Sequence, residues 1–310
     1  MLRAGFLWLS EQPRIFRFVR KNRLARKLAS RFVAGETIDE AVATLRELNT
    51  GHLSASLDLL GESVQHADEA RRACRTYLDV LDRIHTTDAD ANVSIKLTQM
   101  GLDIDEQLCM ANLRAIVGKA KQIDSFVRID MEQSSYTAKT IALFKDVFYP
   151  EFGNAVGVVL QSYLRRTAAD VATMIRLGAR VRLCKGAYKE PEDVAFPEKR
   201  DVDANFIDCM EQLMERGNYP GIATHDLKII DHAKAFAKQR RIPVERFEFQ
   251  MLYGVRRDLQ YGLRREGYNV RVYVPFGSHW YPYLMRRLAE RPANIAFITS
   301  NILKEWTTRR

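Results

Sequence analysis

Ala155-Val156-Gly157-Val158-Val159-Leu160-Gln161, then Thr167–Leu177, then Arg180-Val181-Arg182-Leu183-Cys184-Lys185-Gly186, is the stretch on which the fold turns. An apolar run stops at a polar residue, a helix-length segment follows, and a second apolar run stops at a lysine and a glycine. Short Val- and Leu-rich runs joined by a long crossover are what parallel strands require, so the segment reads as one βαβ unit. The same unit recurs on both sides. Further apolar runs occur at Ser54–Leu60, Asn92–Leu97, Ser125–Met131, Gly221–Thr224, Arg246–Met251 and Val270–Val274, making eight in all. Helix-length stretches separate them at Glu69–Ile84, Glu106–Lys121, Thr137–Phe148, Val202–Arg216, Leu227–Gln239 and Arg256–Glu266. The step between strands is roughly 24 to 41 residues, the period of βα repeats. Eight such units predict an α/β fold of the (βα)8 TIM-barrel kind; an open doubly wound sheet more often has five or six strands. Neither a strict GxGxxG fingerprint nor a P-loop is present.

Residues 1–50 precede the first strand and read as an N-terminal helical arm, with a break at Gly35-Glu36-Thr37 before a helix over Ile38–Leu48. Residues 51–310 then form the barrel. The chain has 310 residues and a net charge of +9, but the charge is concentrated. Residues 1–31 carry nine basic side chains and one acid, Glu11, a net +8. Phe16, Val19, Leu24, Leu28 and Phe32 recur there at near-helical spacing, giving a basic amphipathic helix. Three roles fit it: an arm packed on the barrel, a contact with an anionic membrane surface, or binding to nucleic acid or cleavage as a presequence. The charge does not continue into the body, which argues against nucleic acid. Cys74, Cys109, Cys184 and Cys209 form no C-x-x-C pair, favouring a reduced cytosolic protein without a disulfide framework. No signal peptide is expected, and no apolar run approaches the roughly 20 residues of a membrane span.

In a barrel of this kind, functional groups sit at the C-terminal ends of the strands. Read in order, those ends carry Asp58, Lys96, Asp130, Gln161, Arg182 to Tyr188, Thr224-His225, Gln250 to Tyr253, and Tyr273. Taken singly, Lys96 or Asp130 could be a structural ion pair, Gln161 could cap a strand, and Asp58 receives no functional assignment. His225 is the best metal suspect, yet no H-x-H, H-E-x-x-H or carboxylate cluster accompanies it, so no metal is expected. After the last strand comes Tyr283-Leu284-Met285-Arg286-Arg287-Leu288-Ala289-Glu290. On a helix Tyr283 lies one turn from Arg286 and Arg287, and Arg286 one turn from Glu290. An arginine doublet suits a small carboxylate, since each guanidinium offers two parallel N–H donors. Aromatic neighbours would cover the apolar part of the same molecule. The segment predicts a pocket for a compact amino or carboxylic acid.

Seven motifs in order resemble those of one family. They are Ser94-Ile95-Lys96-Leu97-Thr98, Val127-Arg128-Ile129-Asp130-Met131-Glu132, Val159-Leu160-Gln161-Ser162-Tyr163, Val181 to Tyr188, Ala223-Thr224-His225-Asp226, Phe247 to Gly254, and the Tyr283 to Glu290 segment. They resemble proline dehydrogenase, in its short monofunctional bacterial form, from about residue 25 to the end. The resemblance implies a distorted (βα)8 barrel that binds FAD and oxidises L-proline to Δ1-pyrroline-5-carboxylate, the first step of proline catabolism to glutamate. It also implies electron transfer to a membrane quinone. By the same resemblance Arg286, Arg287 and Lys96 bind the proline carboxylate, and Tyr273, Tyr283 and Leu252 pack against the ring. Glu290 pairs within that network, and Asp130 holds the active-site charges in place. Arg182 sits near flavin N5 and Gln161 at the pyrimidine edge. Met131, Lys185, Gly186, Ala187, Thr224 and His225 occupy flavin-contact positions. A tyrosine at 273 would crowd a ring hydroxyl and so favour proline over 4-hydroxyproline.

The chemistry agrees with that implication. Oxidising a secondary amine needs no protein nucleophile, so the cofactor carries the redox step and the protein supplies orientation and electrostatics. Cations around the substrate would favour the neutral amine by like-charge repulsion. Cys184 is expected to pack without a redox role. The charged connection Lys189–Asp203 fits either a surface excursion or a contact with the diphosphate or adenosine of the cofactor. The expected location is cytoplasmic, peripheral to the inner face of a membrane. The alternative is a non-catalytic amino-acid-sensing or membrane-binding barrel protein.

Overall fold

The computed structural model describes residues 29–290, the side chains only as far as Met285. Helix α1 (Ile38–Thr50) precedes eight strands: β1 (Ser54–Leu59), β2 (Ala91–Ile95), β3 (Val127–Ile129), β4 (Val156–Gln161), β5 (Arg180–Cys184), β6 (Gly221–Ala223), β7 (Glu248–Leu252) and β8 (Asn269–Phe276). All neighbours pair in parallel and β8 pairs with β1, so the sheet closes as a barrel. The crossovers are α2 (Ala67–Thr86), α3 (Glu106–Gln122), α4 (Ser134–Leu143), α5 (Thr167–Leu177), α6 (Lys199–Arg216), α7 (Leu227–Arg240) and α8 (Arg257–Arg265), and α9 (Trp280–Glu290) follows β8. The chain is therefore a (βα)8 barrel of the TIM kind.

Two elements depart from the regular pattern. The ring position outside β8 and β1 is filled by α1, whose buried Ala41, Leu45 and Leu48 join the main core. Its far end meets α8, where a Cβ at Gly51 would lie 2.6 Å from the Tyr261 ring. Helix α9 is thus excluded from the wall, and its Trp280, Tyr281, Tyr283, Leu284 and Met285 pack instead with Phe32, Val33, Leu60 and Val255 at the C-terminal mouth. The turn into α9 uses Gly277 at φ +115°, whose N–H donates to Gly35 O at 2.9 Å. Gly254, at φ +74°, is required for a second reason: a Cβ there would overlap the carbonyl oxygen of Arg31.

Alternation along the strands sorts the core. Leu57, Val93, Ile129, Val158, Leu183, Phe249 and Val272 face the helices and are buried. The register aligns the other set across neighbours: Asp58 with Ser94, Ser94 with Arg128, Arg128 with Gly157, Val159 with Arg182, Gly221 with Glu248, and Gln250 with Arg271. The barrel interior is therefore polar and charged, where apolar layers are the usual filling. Arg128 is 2% exposed; it donates to the carbonyls of Arg180 (2.6 Å) and Val158 (3.2 Å) and lies over the Phe126 ring at 4.7 Å.

Strand β5 coincides with its expected range, while β3 is shorter than Ser125–Met131 because its ends leave the ladder. The third crossover segment, expected as one helix over Thr137–Phe148, starts earlier and widens into a π-turn at Phe144–Phe148. The loop expected over Lys189–Asp203 is shorter, since α6 begins at Lys199, with Asp201 in its first turn and a Lys199–Asp203 pair one turn apart. The basic stretch over residues 1–28 lies outside the described residues.

Candidate active site

Each strand delivers its polar residue to the same end of the barrel because residues i and i+2 share a face and the parallel register keeps the ends level. A cavity of about 1610 Å³ opens there. Lys96, Asp130, Met131, Gln161, Arg182, Lys185, Gly186, Ala187, Thr224, His225, Leu252, Tyr273 and Tyr283 all line it. Pockets for a single small molecule run to roughly 300–1,000 Å³. This space accommodates a large cofactor and a small substrate together. Arg286, Arg287 and Glu290 lie on the last turns of α9, and their side chains lie outside the described residues.

Five strands meet in a charged cluster. Asp130 accepts from Arg182 Nη1 at 2.7 Å and from the Tyr273 hydroxyl at 2.7 Å. Lys96 Nζ donates to Asp58 Oδ1 at 2.5 Å and lies 4.0 Å from Asp130 Oδ2. Burial alone would depress the Lys96 ammonium, but the Asp58 and Asp130 carboxylates outweigh it and raise its pKa. Burial also pushes the Asp58 carboxyl up, against the pull of Lys96. Both directions say that this pair retains its proton over a wide pH range. Burial, then Asp130, raise Tyr273 well above an ordinary phenol, so it remains a donor.

Lys96 thus does not face the cavity as a lone cation, and its nearest partner, Asp58, had no functional assignment from sequence. Its only signal was a charge inside the apolar run Leu57-Asp58-Leu59. Three further residues received no role from the sequence, although Gln250 was read as a polar strand end. Ser94 accepts from Arg182 Nη2 at 3.0 Å, Gln250 accepts from Arg182 Nε at 2.5 Å, and Glu248 pairs with Arg271 at 2.9 Å. Alternation within Glu248-Phe249-Gln250 and Asn92-Val93-Ser94 was the available clue.

The opposite wall carries the Lys185-Gly186-Ala187 loop. Gly186 sits at φ +104°, and a Cβ there would lie 2.3 Å from Tyr163 Cδ1, so the backbone is pressed onto the ring. Lys185 bridges Asp203 at 2.5 Å and Asp226 at 2.9 Å. Glu190 holds the following segment, accepting from Ser134 N at 2.8 Å and the Tyr163 hydroxyl at 3.3 Å. His225 Nε2 accepts from Leu252 N at 3.0 Å, which places the ring proton on Nδ1. Among the described residues no group of three or more His, Cys, Asp or Glu gathers to hold a metal ion. Cys184 borders the cavity, and burial raises its thiol to about 11. Gln161 donates to Met131 O at 3.3 Å, while its Oε1 is buried without a donor.

A family profile described as proline dehydrogenase matches residues 41–300. Proline dehydrogenase 1 of Bacillus subtilis subsp. natto is 44% identical over 305 residues, 98% of this chain and 100% of that protein. Proline dehydrogenase of Deinococcus radiodurans is 40% identical over 308 residues, covering 98% of each chain. Among solved structures, proline utilization A from Bdellovibrio bacteriovorus, inactivated by N-propargylglycine, superposes with a TM-score of 0.80 at 28% identity. That match covers 85% of this chain and 32% of the longer one. The barrel, the strand-end cluster and these matches agree, and the chain belongs to the proline dehydrogenase family.

Proposed function

We propose that the chain oxidises L-proline to Δ1-pyrroline-5-carboxylate with FAD as cofactor and passes the electrons to a membrane quinone. The observation that carries this reading is one cavity uniting the Asp58–Lys96–Asp130–Arg182–Tyr273 cluster with the Lys185-Gly186-Ala187 wall. The residues present fit FAD. Gln161 Oε1 is a buried acceptor, suited to an N–H on a planar ring, and leaving such an atom unpaired costs about 1–3 kcal/mol. The missing Cβ of Gly186 lets the loop pack against the Tyr163 ring, and Lys185, Gly186 and Ala187 border the same cavity. Met131, Gln161, Arg182, Lys185, Gly186, Ala187, Thr224 and His225 would hold it. Bound there, FAD would supply the hydride acceptor.

The chain's own residues do the rest. Lys96 stays an ammonium between two carboxylates, so it donates to the substrate carboxylate and does not take the amine proton. Arg286 and Arg287 are assigned the main grip on that carboxylate, and Glu290 an ion pair beside them. Leu252, Tyr273 and Tyr283 would pack on the pyrrolidine ring. Asp130 fixes Arg182 and the Tyr273 hydroxyl relative to each other, and Arg182 would stabilise negative charge gained on reduction.

Purified protein reconstituted with FAD should show flavin absorbance that bleaches with L-proline under anaerobic conditions. Failure to bind FAD, or a flavin that proline leaves oxidised, would overturn the reading. N-propargylglycine should inactivate the enzyme, as it does the Bdellovibrio protein. Arg286→Met or Arg287→Met should raise the proline KM strongly with FAD retained; loss of flavin would reassign the doublet to the cofactor. The quinone arm is tested with a soluble quinone analogue as acceptor. Among the described residues no helix is long and apolar enough to cross a membrane. Peripheral contact at the inner face is proposed through the basic arm over residues 1–31. Equal liposome co-sedimentation of the full chain and a chain starting at Phe32 would remove it.

A further inference from the structure

Arg182 carries five N–H donors, and side chains from three different strands fix three of them. Nη1 goes to Asp130 of the β3 end, Nη2 to Ser94 of β2, and Nε to Gln250 Oε1 of β7 at 2.5 Å. Gln250 is 4% exposed, and its Nε2 donates to Glu248 Oε1 at 2.5 Å. Glu248 is 2% exposed and held by Arg271, which also donates to Ala55 O at 2.9 Å and Asn92 Oδ1 at 3.1 Å. Burial would raise the Glu248 carboxyl, but Arg271 outweighs it and the net shift is downward. An ionised Glu248 only accepts hydrogen bonds, so the Gln250 amide nitrogen must face it and the amide oxygen must face Arg182. A floor-level ion pair thereby sets the orientation of an amide, and the amide sets the plane of the guanidinium.

We propose that Gln250, oriented by Glu248, is a positioning residue that fixes the Arg182 guanidinium for its work on the cofactor. The assignment rests on the reading of Arg182 given under the proposed function. No other side chain of this size serves both ends. A carboxylate at 250 would meet Glu248 as a like charge, and a hydrocarbon would leave Arg182 Nε without its acceptor and Glu248 Oε1 with Arg271 as its one remaining donor. Ser94 and Asp130 remain in either case, so the guanidinium stays in place but gains freedom about its long axis.

The test compares holoenzymes carrying Gln250→Met and Gln250→Glu with the wild type. Gln250→Met should lower kcat by roughly ten- to a hundredfold, the effect of misplacing a reacting group by about 1 Å, with the proline KM within about threefold. The midpoint potential of its bound flavin, measured without proline, should move to more negative values because reduced flavin loses a fixed cation. Gln250→Glu retains an acceptor for Arg182 and can donate to Glu248 only when protonated; burial and the neighbouring carboxylate raise its pKa against the pull of Arg182. Its kcat relative to the wild type should therefore rise as pH falls from about 9 to about 6, which a packing role would not produce. An unshifted potential with unchanged kcat in Gln250→Met, or a flat pH ratio in Gln250→Glu, overturns the proposal. If Gln250→Met does not fold, the pH ratio decides alone. A wild-type flavin that proline cannot reduce would remove the proposed reaction, whereas loss of the shift with an active wild type removes the relay alone.

Discussion

Replacing Tyr273 by phenylalanine removes one oxygen, yet that oxygen is the second donor to Asp130, at 2.7 Å. A hydrogen bond to a charged group contributes about 1.5–3 kcal/mol, so Tyr273→Phe should lower unfolding stability by that order in a denaturant titration. An unchanged midpoint would mean that Arg182 alone satisfies the carboxylate. Gly186→Ala puts a methyl into the Tyr163 ring and forces φ +104° on a residue that resists it. The expected result is weakened FAD retention on gel filtration with the fold preserved, and undiminished retention would show that the loop yields. At this scale the sequence revealed residue types at strand ends but not their partners. Lys96 was legible as a cation, whereas its engagement by Asp58 depends on a strand pairing that no local pattern encodes.

Helix α1 shows what an element owes to its own residues and what it owes to its neighbours. Thr37 caps it: its hydroxyl accepts from Glu40 N at 3.3 Å while the Glu40 carboxylate returns to Thr37 N at 3.0 Å. Thr37→Ala should cost about 0.5–2 kcal/mol by thermal or chemical unfolding. Leu45→Ala empties a fully buried site against the barrel wall and should cost about 2–5 kcal/mol. If α1 were an appended arm, Leu45→Ala would leave the barrel transition unmoved. The helix itself was readable from the break at Gly35-Glu36-Thr37 and its apolar spacing. Its place between α8 and α2 was not, because amphipathic spacing identifies a buried face without naming the surface that covers it. The π-turn at Phe144–Phe148 was equally hidden, since a single wide turn spans too few residues for its period to be told from that of an α-helix.

Over the whole molecule, eight apolar runs at a regular step were enough to read the barrel, because helix-facing residues carry the hydrophobic signal. The polar interior was not legible, since its charges sit at alternate positions inside those same runs. Glu248 illustrates the consequence for pH. Its folded pKa lies below the ordinary 4.5, so its contribution to stability is present above that value and is lost as pH falls through the folded pKa. The stability gap between wild type and Glu248→Gln should thus be widest near neutrality and close in strong acid. A gap independent of pH would argue that the Arg271 pair contributes nothing. The position of α1 has one more consequence, for synthesis. Its docking surface is formed by β1 and β8 together, so the ribosome makes the helix first and its berth last. At about 5–20 residues per second, the Leu45 face must wait on the order of ten to fifty seconds before β8 emerges to receive it. A nascent chain halted before Phe276 would present that face to chaperones, and the barrel can close only when its beginning is tied to its end.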